Sequence, residues 1–98
     1  MPRDLPGDDD WITARHQEVG RRFQVERLRQ NLTQEDVFLA AGLDRRTLQT
    51  VESGNGNPTL GTLLKLAHVL GIDLGELVHG LTSVSRDGLP PDGDGSPS

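Results

Sequence analysis

The 98-residue sequence predicts an all-α domain of five helices carried between two flexible acidic tails. Three observations lead there. Helix start and stop signals recur five times between residues 10 and 81, no segment shows the apolar–polar alternation of a strand, and the ends of the chain have almost nothing to bury. Asp10, Thr33, Asp44, Thr59 and Asp73 are each able to accept a backbone N–H at a helix start, while Asn31, Gly42, Gly54, Gly71 and Gly80 tolerate the left-handed conformation that ends one. Pairing these signals gives helices near 11–30, 34–41, 45–53, 60–70 and 74–80.

The first helix carries Gly20 in its interior, at a loss of about 1 kcal/mol relative to Ala. It marks a junction between an added N-terminal segment (Trp11 to Val19) and the helix proper, or a small residue is simply tolerated there. The second helix opens on Thr33, with Asp36 forming an imperfect capping box three residues on. Gly42 permits a sharp exit, Leu43 plugs the corner and Asp44 starts the third helix. Two short helices joined by "GLD" match the spacing of a helix-turn-helix, here 34–53. On the third helix Leu48 and Val51 face inward. Arg45, Arg46, Gln49 and Thr50, at i, i+1, i+4 and i+5, share the outward face. That set has the chemistry of a major-groove reader: Arg for guanine, Gln for adenine, the Thr methyl for thymine. A polar solvated face would look the same on this helix alone. The fourth helix has Leu60, Leu63, Ala67 and Leu70 as a core stripe. Leu64, Leu66 and Val69, with Leu77, Val78 and Leu81 beyond, make a surplus that suggests a second subunit.

Charge is unevenly distributed. The formal net charge is −5, but residues 1–11 hold −3 and residues 84–98 hold −2, so the intervening domain is neutral. The acidic excess therefore does not argue against a local DNA-binding surface. The tails, 1–9 and 82–98, are expected to be disordered, with 10–81 as the domain. There are no cysteines, which excludes disulfides and thiolate metal sites. His16, His68 and His79 have no ligand-like spacing, and no nucleophile elbow or phosphate-cradling loop follows a strand. No enzyme, metal or cofactor is expected. No apolar run reaches the roughly 18 to 20 residues of a membrane helix, and a cytoplasmic, nucleoid-associated protein is the expectation.

The stretch "RLRQNLTQEDVFLAAGLDRRTLQTVESGNGNPTLGTLLKLAHVLGIDLGELV" closely resembles the phage-repressor, or lambda-repressor-like, helix-turn-helix family. The marks are "LTQED", "AGLDRRTLQTVESG", "NPTLGTLLKLAHVLGI" and "LGELV", in the family's order and spacing over roughly residues 19–81. The resemblance implies a sequence-specific regulator of double-stranded DNA, a repressor. In it Arg45, Arg46 and Thr50 face base edges with Gln49 flanking, and Gln34 binds a phosphate and braces the reading helix. Thr47 and the loop Asn55 to Asn57 approach the DNA backbone, and Arg27 pairs with Glu52. It also implies a homodimer, here through 60–70 and 74–81. The sequence departs from the family pattern in three places: Phe38 stands where a small residue is usual, the loop "GNGNP" has no Lys or Arg, and Asp44 puts a carboxylate near the DNA backbone. The alternative is a protein-binding regulator on the same fold, antitoxin-like, with a protein partner in place of DNA.

Overall fold

Thr33, Asp44 and Thr59 each turn their side-chain oxygen back onto the backbone N–H of the residue three positions on, and each starts a helix. The computed structural model describes residues 10–82. Its helices are α1 (Asp10–Arg29), α2 (Gln34–Ala41), α3 (Arg45–Ser53), α4 (Leu60–Leu70) and α5 (Leu74–Leu77), with no strand among the described residues. The tail segments 1–9 and 83–98 lie outside the described residues.

Two cap assignments change. Asp10 is already inside the first turn of α1, and Asp73 precedes α5 without a side-chain cap bond. The capping box of α2 is complete: Thr33 accepts from the Asp36 N–H, and the Asp36 carboxylate accepts from the Thr33 N–H at 2.8 Å. The turn to α3 is closed by Gly42, whose positive φ of 71° lets its N–H reach the Phe38 and Leu39 carbonyls. The Leu43 N–H then bonds the Phe38 carbonyl at 2.8 Å.

Helix α5 ends at Leu77, three residues before Gly80. Two arginines of α1 meet the chain beyond it. Arg22 donates to the carbonyls of Leu77 and His79, and Arg15 donates to that of Leu81 at 2.7 Å. The last carbonyls of the described chain are therefore satisfied by guanidinium groups from far back in the sequence rather than by a further helical turn.

Helix α1 runs unbroken through Gly20, and the glycine is required there rather than simply tolerated. It is buried where α1 crosses the end of α3, and a Cβ there would meet the Val51 carbonyl oxygen at 2.2 Å. Only a glycine allows so close an approach. The core consists of Phe23, Val37, Phe38, Leu48, Val51, Leu66, Ala67, Leu70 and Leu77. Helix α4 presents Leu63, Leu66, Ala67 and Leu70 to it, at i, i+3, i+4 and i+7. The expected stripe is thus displaced: Leu66 is fully buried, whereas Leu60, the first residue of the helix, is 65% exposed. Phe38, the departure within the helix-turn-helix, points into the core.

Several carboxylates are held below their ordinary range. Hydrogen bonds from the backbone and side chain of Thr33 depress Asp36, those of Thr47 depress Asp44, and Arg21 with Arg22 hold Glu18 down to about 2. A depressed native pKa contributes stability that is present above the unfolded pKa and lost as pH falls through the native one. Thermal melts should therefore be flat near neutrality and fall from about pH 5 toward pH 2. Asp36→Asn keeps an acceptor for the Thr33 N–H and loses the titration, so it should flatten part of that slope. An acid limb identical to wild type in Asp36→Asn and Asp44→Asn would show that these caps do not cause it.

Candidate nucleic-acid interface

Helix α3 divides along its length. Leu48 and Val51 are buried, Arg45, Arg46 and Gln49 are exposed, and Thr47 and Thr50 are half-buried. The Asp44 cap fixes where the helix begins, which puts both arginines in its first turn. Other arginines of the domain are occupied: Arg21 and Arg22 with Glu18, Arg29 with Glu26, Arg27 with Glu52. Among the described residues neither Arg45 nor Arg46 forms an ion pair.

The two arginines diverge. Arg45 leans toward α2, its guanidinium carbon 5.1 Å from the centroid of the Phe38 ring. Arg46 lies on the other flank, beside the Asp44 carboxylate that its charge helps to depress. There it lines a groove with Thr47, Thr50, Asn57 and Pro58. The expected common outward face of Arg45, Arg46, Gln49 and Thr50 is therefore split.

Behind the exposed face runs a chain of four polar side chains. Gln49 donates to the Gln34 side-chain oxygen at 3.4 Å, and Gln34 donates to Glu52 at 3.1 Å. Glu52 accepts two bonds from Arg27, at 2.7 and 3.1 Å. Arg27 also donates to the Leu32 carbonyl at 2.8 Å. Its side chain is 8% exposed and that of Glu52 4%. A bidentate pair this deeply buried orients α1 and α3 rigidly, and Gln34 carries that constraint to the start of α2.

The Thr50 methyl packs against Gly56, where a Cβ would come within 2.1 Å of it, so the neighbouring loop shares that side of Thr50 with the groove. One expectation for this loop changes. The Asn55 N–H bonds the Thr50 carbonyl and the Ser53 hydroxyl, both at 3.3 Å, and is not available to a phosphate. Asn57 stays exposed at the groove beside Arg46. The Arg45–Phe38 stacking escapes sequence reasoning. Its one signal is that Phe38 is out of place, which shows that something differs there without showing what it touches.

A family model described as helix-turn-helix matches residues 25–77, more than half of the chain. The chain belongs to the lambda-repressor-like helix-turn-helix family. The domain is thus a DNA-binding regulator rather than an enzyme. It is 42% identical over 60 residues to the uncharacterised HTH-type transcriptional regulator y4dJ of Sinorhizobium fredii, a match that covers 61% of this chain and 78% of that one. Among solved structures it resembles the restriction-modification controller protein C.AhdI from Aeromonas hydrophila, with a TM-score of 0.63 and 38% identity over 65% of this chain and 97% of the controller. It also resembles the hypothetical transcription factor NHTF from Neisseria, with a TM-score of 0.62 and 26% identity over 80% and 85% of the two chains. No helix among the described residues is long and apolar enough to cross a membrane, and no group of His or acidic residues among them could hold a metal.

Proposed function

We propose that this helix-turn-helix protein is a sequence-specific transcriptional repressor that binds double-stranded DNA as a homodimer on the nucleoid. The observation that carries the reading is a pair of exposed arginines that form no ion pair among the described residues, at the tip of a helix braced from behind by Gln34, Glu52 and Arg27. Arg45 and Arg46 reach base edges in the major groove, and Gln49 flanks them. Gln34, Thr47 and Asn57 meet the phosphates, and residues 10–81 act as one unit. Binding by occupancy of the groove is enough to block a promoter, and the likeness to a restriction-modification controller protein agrees with such a regulatory role. The second subunit covers Leu60, 65% exposed, Leu64, 51% exposed, and Val78 on α4 and the end of α5.

Selection of bound sequences from a random DNA pool by the full chain tests this. The expected product is a pseudo-palindrome whose half-sites lie about 34 Å apart. Arg45→Ala should weaken binding to that site by about 1 to 3 kcal/mol and relax one base pair in each half-site. No enriched sequence, or unchanged binding when Arg45 and Arg46 are both replaced by Ala, would overturn the reading. A single unpaired half-site would overturn the dimer alone.

A further inference from the structure

Phe38 is held by both its ring and its backbone. It is 7% exposed within the core cluster, and the carbonyl of the same residue accepts the Gly42 and Leu43 N–H groups that close the turn. Arg45 on the next helix lies over this ring, within the roughly 6 Å at which a cation is attracted by a π face. Arginine is a flexible side chain, so a solvated Arg at a helix tip samples many orientations. An Arg resting on an immobile ring samples far fewer. Among the described residues, no ion pair or hydrogen bond occupies the N–H donors of Arg45. The edge that would pair with guanine O6 and N7 is therefore left free. Arg46 has no such support: its neighbours are the Asp44 carboxylate and the groove toward Asn57.

We propose that Phe38 is a specificity-determining positioning residue, a platform that pre-orders Arg45 for one base pair of the operator and leaves Arg46 to adapt. The inference rests on the base-reading role given to Arg45 above. The two arginines are then unequal: Arg45 reads one base pair strictly, and Arg46 tolerates variation at its own. The platform touches no DNA and acts only through Arg45.

Two measurements on the full chain test it. In NMR spectra of the free protein, the ring current of Phe38 should move the Arg45 side-chain protons upfield of those of Arg46. Absence of that displacement overturns the platform, and this arm needs no variant to fold. In the second arm, binding to the selected operator and to each of its single-base changes is measured for wild type, Phe38→Leu, Arg45→Ala and the double variant. Leucine keeps apolar bulk and lacks the π face. Phe38→Leu should weaken binding about two- to fivefold, with the lost discrimination confined to the base pair that Arg45→Ala relaxes. In the Arg45→Ala background it should have no further effect. A loss spread over all positions, or one that adds to that of Arg45→Ala, would reduce Phe38 to a packing residue and overturn the proposal. If Arg45→Ala leaves operator binding intact, the base-reading role itself falls and the platform with it.

Discussion

Arg27→Met should destabilise the domain by about 3 to 5 kcal/mol, read as a lower urea midpoint with an unchanged slope. The size follows from what is left behind. The Glu52 carboxylate is 4% exposed and takes two of its hydrogen bonds from Arg27, so the variant keeps a buried charge with only the Gln34 amide for company. The Leu32 carbonyl loses its donor as well. Removing both charges is a different experiment. Arg27→Met with Glu52→Leu fills the space with apolar atoms and orphans no charge, so it should recover most of the loss. A single variant that loses less than about 1 kcal/mol would mean that water replaces Arg27 at the carboxylate, which geometry this enclosed should not allow. Domains of this kind have only about 5 to 15 kcal/mol in hand, so the single variant is expected to lie near the edge of folding at ambient temperature.

Gly20→Ala gives the second large effect, and its sign separates local preference from packing. In an exposed helix interior the change stabilises by about 1 kcal/mol. Here the added methyl would sit 2.2 Å from the Val51 carbonyl oxygen and 2.7 Å from that of Glu52. Both are backbone atoms, unable to rotate out of the way, so α1 and α3 must part and the Arg27–Glu52 pair is stretched with them. Overpacking of this kind costs about 3 kcal/mol or more, which outweighs the propensity gain and leaves a net loss of about 2 to 3 kcal/mol. The melting temperature should fall by roughly 4 to 8 °C for each of those kcal/mol. Gly61→Ala on α4 supplies the control, because its nearest atom is an exposed hydroxyl at 3.8 Å, and it should be neutral or slightly stabilising. If Gly20→Ala also stabilises, the crossing of α1 and α3 is looser than the structure describes.

The features legible in the sequence are those written in neighbouring residues. The helix-turn-helix spans 34–41 and 45–53 in both, because Thr33, Gly42 and Asp44 act on backbone groups within four positions of themselves. The division of α3 into Leu48 and Val51 against the polar remainder is equally local. What failed depends on distant partners. The carbonyls at the end of α5 are met by Arg22, more than fifty positions upstream, and the need for Gly20 comes from a carbonyl on another helix. Which leucines of α4 are surplus depends on where α1 and α2 end, so Leu60 and Leu66 exchanged roles. At the site, the residue types and their helix could be read, but not the approach of Arg45 to the Phe38 ring or of Gly56 to the Thr50 methyl.

The bonds from Arg15 and Arg22 to the carbonyls of Leu77, His79 and Leu81 bring the two ends of the described domain side by side. The described chain thus enters and leaves the domain on the same side, along α1. The nearby part of α1 rests on the C-terminal end of α3, Gln17 against Gly54, while Arg45 and Arg46 stand at the other end, nine residues or about 13 Å of helix away. The arginine tip of α3 therefore lies at the far end of that helix from the edge where the described chain enters and leaves. A duplex can close on that tip without meeting the edge at which the two ends of the described chain are joined, so additions to either end should leave DNA affinity nearly unchanged.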